Sequence, residues 1–316
     1  MKDDAISLAT GDREPKAAYG IAPPGYRLPG DLRLGPVRLQ VADLSRSIDF
    51  YSDVLGLALL DRGGNIARMG APDGTQLVEL HELRDAKHVG ARGRLGLYHF
   101  AILLPDRASL GRFVAYLGEA GVRAGAADHL VSEAIYLNDP DGLGIEVYAD
   151  RPRDEWLASG GQLRMATDPL DLEDLTRAAG AEPWTGVPAG TTMGHVHLHV
   201  GDLGEAREFY HRALGFDAVV WGYPGALFLS AGGYHHHLGL NTWARGAQPA
   251  RHDDARLLEW VLLLPEQEEV DGAADSLRAS GYDVVEEGDD RIATDPWGTT
   301  LRIATAPAGD QRARTG

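Results

Sequence analysis

The chain has 316 residues, 44% hydrophobic and 24% charged, an ordinary globular composition with length enough for two cores. It has no cysteine, which excludes disulfides, thiolate metal sites and cysteine nucleophiles and leaves any metal to imidazole and carboxylate. A net charge of −17 argues against nucleic acid and anionic membranes as partners.

Residues 1–30 are rich in Gly, Pro and charge and read as an N-terminal arm. The start, "MKDDAISLATGDREPKAAYG", carries early acids and no continuous apolar stretch. It does not read as a signal peptide, so a cytoplasmic protein is expected. No run of about 18 apolar residues follows, so no membrane span is expected.

Four similar segments then succeed one another. They are "GPVRLQVADLSRSIDFYSDVLGL" from Gly35, "LYHFAILLPDRASLGRFVAYLGEAG" from Leu97, "GHVHLHVGDLGEAREFYHRALGF" from Gly194 and "LEWVLLLPEQEEVDGAADSLRASGY" from Leu258. Each opens on an apolar strand, meets an acid (Asp43, Asp106, Asp202, Glu266) and enters a helix with i, i+3, i+4 apolar spacing, as at Ile48, Tyr51 and Leu55. Each helix is expected to stop at a glycine: Gly56, Gly121, Gly215 and Gly281. Glycine turns in "APDGTQLVEL", "NDPDGLGIEVY", "LSAGGYHHHLGL" and "TDPWGTTLRIA" mark the last hairpin of each repeat. The pattern predicts an α+β fold of four β-α-β-β-β modules. One such module cannot bury its sheet face alone, so four make two curved, open half-barrels. Residues 31–150 are expected to make a first unit of modules one and two, and residues 194–306 a second unit of modules three and four. A connector spans 151–193, with one short helix expected after Asp168.

Half of the twelve histidines stand in two short stretches. "HVHLHV" places His195, His197 and His199 on alternate positions, hence on one side of a strand. "GGYHHHLGL" places His235, His236 and His237 in a row, where strand alternation would send His236 to one face and its neighbours to the other.

The repeat, the "D-L-x-x-(A/S)-x-x-F-Y-x-x-x-L-G-(L/F)" helix and the "D-P-x-G" hairpin resemble the vicinal oxygen chelate superfamily. "MGHVHLHVGDL", "LFLSAGGYHHHLGLNTW" and "DHLVSEAIYLNDPDGLGIEVYADRPRDEW" resemble in particular its type I extradiol dioxygenase branch, the catechol 2,3-dioxygenase-like proteins. The resemblance covers roughly residues 33–305.

The family carries a metal ligand on the first strand of a module, and seven positions before the acid stand Pro36, His99, His195 and Glu259. It carries a carboxylate ligand on the last strand, where module two has Glu146 and module four has Arg302. The resemblance therefore implies His99, His195 and Glu146 as metal ligands, the two-histidine, one-carboxylate set of non-haem Fe(II) oxygenases, which Mn(II) can share. It assigns acid–base chemistry to His236, with His235 as the competing choice and a substrate-side residue. It also brings Tyr136 and His129 to the substrate, while His197 lies one step along the wall within reach of it. No chemistry is assigned to His199.

These residues divide between modules two and three. A barrel built from those two modules collects the set. A rival site, modules one with two, would use Glu79, His99 and Glu146. The expected function is cleavage of a catecholic ring next to its diol by dioxygen at Fe(II), with a small catechol and dioxygen as partners and homo-oligomerisation left open. Two alternatives remain: a glyoxalase-like metal-dependent isomerase or hydrolase with a fourth protein ligand such as Glu79 or Glu259, and a metal-free drug-sequestering protein.

Overall fold

The computed structural model describes residues 18–90 and 93–307. Module one runs β1 (Arg33–Val41), α1 (Leu44–Asp53), β2 (Ala58–Gly63), β3 (Ile66–Gly70) and β4 (Gln76–Glu82). Module two runs β5 (Gly96–Leu103), α2 (Arg107–Glu119), β6 (Gly125–Asp128), β7 (Ser132–Asn138) and β8 (Gly144–Asp150). The connector holds a small hairpin, β9 (Ala158–Ser159) with β10 (Gln162–Leu163), and helix α3 (Leu172–Ala178). Module three runs β11 (Thr192–His199), α4 (Leu203–Ala206, continued over Arg207–Ala213 by a wider π-helical turn), β12 (Asp217–Val220), β13 (Ala226–Ser230) and β14 (Leu238–Asn241). Module four runs β15 (Arg256–Leu264), α5 (Gln267–Ala279), β16 (Val284–Glu287), β17 (Asp290–Thr294) and β18 (Thr300–Thr305).

The repeated acid has a local cause. The carboxylates of Asp43, Asp106 and Asp202 accept backbone N–H groups of the first helical turn, and Glu266 forms a reciprocal capping box with Glu269. At the other end, Gly56, Gly121, Gly215 and Gly281 all have positive φ, between 69° and 105°, which a side chain would oppose.

The eighteen strands of the described residues form two eight-stranded curled sheets and the small connector hairpin. One sheet has the order β12-β13-β14-β11-β5-β8-β7-β6 and the other β16-β17-β18-β15-β1-β4-β3-β2. Modules three and two thus share one sheet, joined along antiparallel β11 and β5, and modules four and one share the other, joined along β15 and β1. Each chain half, 31–150 and 194–306, gives one module to each sheet. The two sheets are tied by the tyrosines of the F-Y pairs. Tyr51 of module one donates to Asp139 of module two (3.3 Å), and Tyr210 of module three donates to Asp295 of module four (2.9 Å). One continuous apolar core contains Tyr51, Phe100, Phe113, Phe209 and Trp260, so both sheets and their helices bury surface together.

Of the arm, residues 18–30 are described and the rest lies outside the described residues. Ile21 bridges to Ala218, Arg27 makes a two-pronged pair with Asp217 (2.8 and 2.7 Å), and the Tyr26 hydroxyl donates to the Glu269 carbonyl. The connector helix α3 packs on α2 across Gly111, where a Cβ would stand 2.4 Å from the Leu175 carbonyl oxygen. No helix among the described residues is long and apolar enough to cross a membrane.

Candidate metal centre

The centre is built on three adjacent strands, β11, β5 and β8. His195 stands opposite Ala101, and Ala101 stands opposite Glu146, so the three form one row across the sheet. His99 lies two residues before Ala101 and on the same face. Ala101 is fully buried and has no side chain beyond Cβ, so the larger groups around it can lean over it. A bulge between Met193 and His195 breaks the β11–β5 register just where His195 must turn inward. Beside it, Gly194 is required by a close approach: a Cβ there would lie 1.9 Å from the Tyr148 hydroxyl.

The result is a compact triangle. His99 Nε2 lies 3.0 Å from Glu146 Oε2, His195 Nε2 lies 3.2 Å from the same oxygen, and the two imidazole nitrogens are 3.3 Å apart. A cation bonded to three donors at about 2.1 Å spaces them about 3.0 Å apart at right angles and about 3.4 Å apart at tetrahedral angles. The observed edges fall in that interval. The three side chains are almost fully buried, and burial pushes both imidazoles below their usual pKa toward the neutral form that binds metal. Burial alone would raise the Glu146 carboxyl, but charge and hydrogen-bond contacts from His195 and His99 outweigh it and hold the group well below the usual carboxylate range. His195 Nδ1 is buried without a hydrogen-bond partner, so this ring is held by packing and by what its Nε2 meets. Among the described residues, these three are the group of donors close enough together to hold one metal ion.

The other residues singled out from the sequence lie around this triangle. Tyr136, from β7, faces the His99 ring at 5.6 Å between centroids and is hydrogen-bonded to His129 Nε2. His129 Nδ1 donates to the Ala166 carbonyl at 2.6 Å, so a neutral His129 has a bare Nε2 that accepts the Tyr136 proton. Burial, then the charge of Glu146, raises the Tyr136 phenol well above 10, so it stays protonated. His197 packs edge-on to His99 at 4.9 Å, and its Nε2 accepts from the Asn241 amide at 2.9 Å. Its ring lies over Gly239, where a Cβ would come within 2.7 Å of it. His199 donates from Nδ1 to the Asn241 side-chain oxygen (2.7 Å) and packs on Tyr98.

The histidine triplet differs from its sequence reading. It lies in the turn between β13 and β14, not within a strand, so alternation does not govern it. His236 reaches the centre, its ring 4.1 Å from that of His195. His235 stands behind it, fully buried, with Nδ1 against His236 Nδ1 (2.7 Å) and Nε2 against Asp150 (2.8 Å). Both of its nitrogens are thus taken, which leaves none for a substrate. The rival Glu79 site does not assemble, because Glu79 lies in the other sheet, bound by Arg38, Arg68 and His81.

Sequence reading missed Tyr98, Ala101, Asp150 and Asn241. Tyr98 packs against His99, His197 and the half-exposed Trp243, forming an aromatic wall between the centre and solvent. Asp150 had a signal: in "EVYAD" the period of two puts Glu146, Tyr148 and Asp150 on one face of β8. A cleft of about 680 Å³ lies away from these residues, between α1, α2 and the connector, beside Arg112 and Trp184.

Comparison with known proteins agrees with this architecture. The family described as the Glyoxalase/Bleomycin resistance protein/Dioxygenase superfamily matches residues 33–147 and 192–303. A catechol-2,3-dioxygenase of Bacillus subtilis (strain 168) is 45% identical over 270 residues, 84% of this chain and 94% of that protein. Among solved structures, one from Bacillus subtilis subsp. subtilis strain 168 aligns with a TM-score of 0.62 at 14% identity, over 89% of this chain and 87% of the other. Glyoxalase I from Zea mays aligns with a TM-score of 0.52 at 18% identity, over 86% and 92%. The chain therefore belongs to the Glyoxalase/Bleomycin resistance protein/Dioxygenase superfamily, as a homologue of catechol-2,3-dioxygenase.

Proposed function

We propose that the protein is an extradiol dioxygenase that opens a catecholic ring next to its two hydroxyls, at Fe(II) held by His99, His195 and Glu146. The observation that carries this reading is the triangle itself, with three protein donors, all buried, and no fourth histidine or carboxylate joining them among the described residues. Three donors leave coordination positions for both oxygens of a diol and for dioxygen. A glyoxalase-like centre needs a further protein ligand. Glu79 and Glu259, the two acids available for that role, lie in the other sheet and are neutralised there by arginines.

Fe(II), when bound, lowers the pKa of the diol and couples it to dioxygen. The chain supplies the proton handling and the placement. His236, with its pKa pushed well below the usual value by burial, is neutral at pH 7 and takes a hydroxyl proton from the substrate. Tyr136 stays protonated, and turning its one hydroxyl proton from His129 Nε2 to the substrate would let it donate to the oxygen that gains negative charge. Tyr98, His197 and Trp243 offer ring faces and edges to the flat substrate as it enters. Both atoms of dioxygen enter the product, a 2-hydroxymuconic-semialdehyde type of compound.

The test is to purify the protein without oxygen, measure its metal, then add catechol and dioxygen. Iron, one dioxygen consumed per catechol and a yellow ring-opened product are expected. A redox-inert metal, together with no dioxygen uptake after Fe(II) is supplied, overturns the reading.

A further inference from the structure

We propose that Asp150 and His235 are positioning residues that set the tautomer of His236, leaving its Nε2 bare and its Nδ1 protonated. The inference rests on the reading of His236 as the proton acceptor and adds what prepares it.

Donor and acceptor parity along the chain Asp150–His235–His236 places each proton. An ionised carboxylate only accepts hydrogen bonds, so His235 Nε2, 2.8 Å from Asp150 Oδ1, carries the proton there. A neutral His235 then has a bare Nδ1. That atom lies 2.7 Å from His236 Nδ1, and two nitrogens at this distance share one proton. It must belong to His236, so His236 donates from Nδ1 and its Nε2 is left as a lone pair. A carboxylate that orients one imidazole directly is a common device. Here a second imidazole is interposed, and the direction of the chain is still set by the carboxylate.

The surroundings hold the chain in place. Asp150 also accepts from the Tyr234 hydroxyl (3.1 Å), which in turn accepts from the Tyr148 hydroxyl (2.7 Å). Tyr148 and Asp150 share a face of β8 with Glu146, so one strand carries both the carboxylate of the triangle and the one that orients His236. Trp156 meets His235 edge-on at 5.3 Å and Tyr234 covers it at 4.1 Å, so the ring, fully buried, has no room to turn over.

The experiment uses the whole chain with its histidine rings labelled with ¹⁵N. Ring nitrogen shifts are read in the metal-free protein, and turnover of catechol is read in the iron-loaded protein. Wild type should show His236 protonated at Nδ1 and His235 protonated at Nε2. Asp150→Asn should lose or mix this pattern. It should also lower kcat by roughly 10–100-fold, the scale for outer partners of a metal centre, with KM and bound iron unchanged. Asp150→Glu keeps the charge and should restore the wild-type tautomers. Wild-type His236 protonated at Nε2, or tautomers and kcat both untouched in Asp150→Asn, overturns the proposal. Should Asp150→Asn fail to fold, the wild-type shifts alone decide it. Failure of the ring-cleavage reading is separate: wild type would not turn over catechol, while the ring shifts would still report the tautomers.

Discussion

In the sheet of modules two and three, the row His195–Ala101–Glu146 crosses β11, β5 and β8. In the sheet of modules one and four, the same row reads Glu259–Arg38–Glu79 across β15, β1 and β4. The two backbones solve one folding problem with one pairing pattern, and they differ in what stands at the middle of the row. Ala101 leaves a space that three donors enclose. Arg38 fills the corresponding space with its own cation, 2.7 Å from Glu259 and 3.2 Å from Glu79. Arg302 and Arg68 complete the neutralisation at 2.7 and 2.9 Å. Against the upward pull of burial, His81, Arg68 and Arg38 hold Glu79 below the usual carboxylate range. Buried acids need a positive partner in either sheet. One sheet carries that partner within the chain, and the other is shaped for a metal from outside it.

The largest effect expected from this contrast is loss of a donor. His99→Ala and Glu146→Gln should each weaken metal binding by at least about a hundredfold, beyond what outer partners command, and abolish turnover. Metal analysis after dialysis, with circular dichroism to show an intact fold, checks it. Wild-type iron and turnover in either variant would remove these residues from the centre. Nearly as large should be the effect of importing the other sheet's solution. Ala101→Arg removes no donor, yet it should place a guanidinium beside Glu146 and exclude the metal. Retention of iron by a folded Ala101→Arg protein would break the comparison.

Next comes His236→Ala, which should keep iron and lower kcat by about a hundredfold, the usual scale of acid–base assistance. Loss of iron would instead make His236 a ligand.

The modules were legible in the sequence because their signals are local. An acid caps each helix, a glycine closes it, and apolar residues recur with the period of each element. The joining of module two to module three was reached indirectly, since Pro36 and Arg302 cannot complete a donor set while His99, His195 and Glu146 can. What could not be read is long-range geometry. The bulges on either side of His195 and His197 shift the register without any distinctive residue to announce them. Ala101 matters for the volume it lacks, which only the neighbouring strands define. The three consecutive histidines fall in the segment read as the last hairpin of the repeat, where strand alternation is expected. Gly232 and Gly233, both with positive φ, turn the chain there instead and let His235 and His236 meet side by side.

The smallest effect tests the other half of the comparison. Glu259 is buried, and its carboxylate accepts from Arg38 and Arg302, both at 2.7 Å. Glu259→Gln keeps the shape and removes the charge. Breaking a buried pair outright costs about 3–5 kcal/mol because a lone charge is left behind. Here neither arginine is left alone: Arg302 keeps Asp290 (2.9 Å) and Glu287 (2.8 Å), and Arg38 keeps Glu79. Arg38 is also a third exposed, so water screens part of its loss. A destabilisation of about 2 kcal/mol is therefore expected, read as a lower urea midpoint at unchanged slope. Iron content and catechol turnover should not move, because the metal centre belongs to the other sheet. A Glu259→Gln protein that is stable but loses iron would show that the two rows are coupled, and that the arginine-filled sheet does more than close the fold.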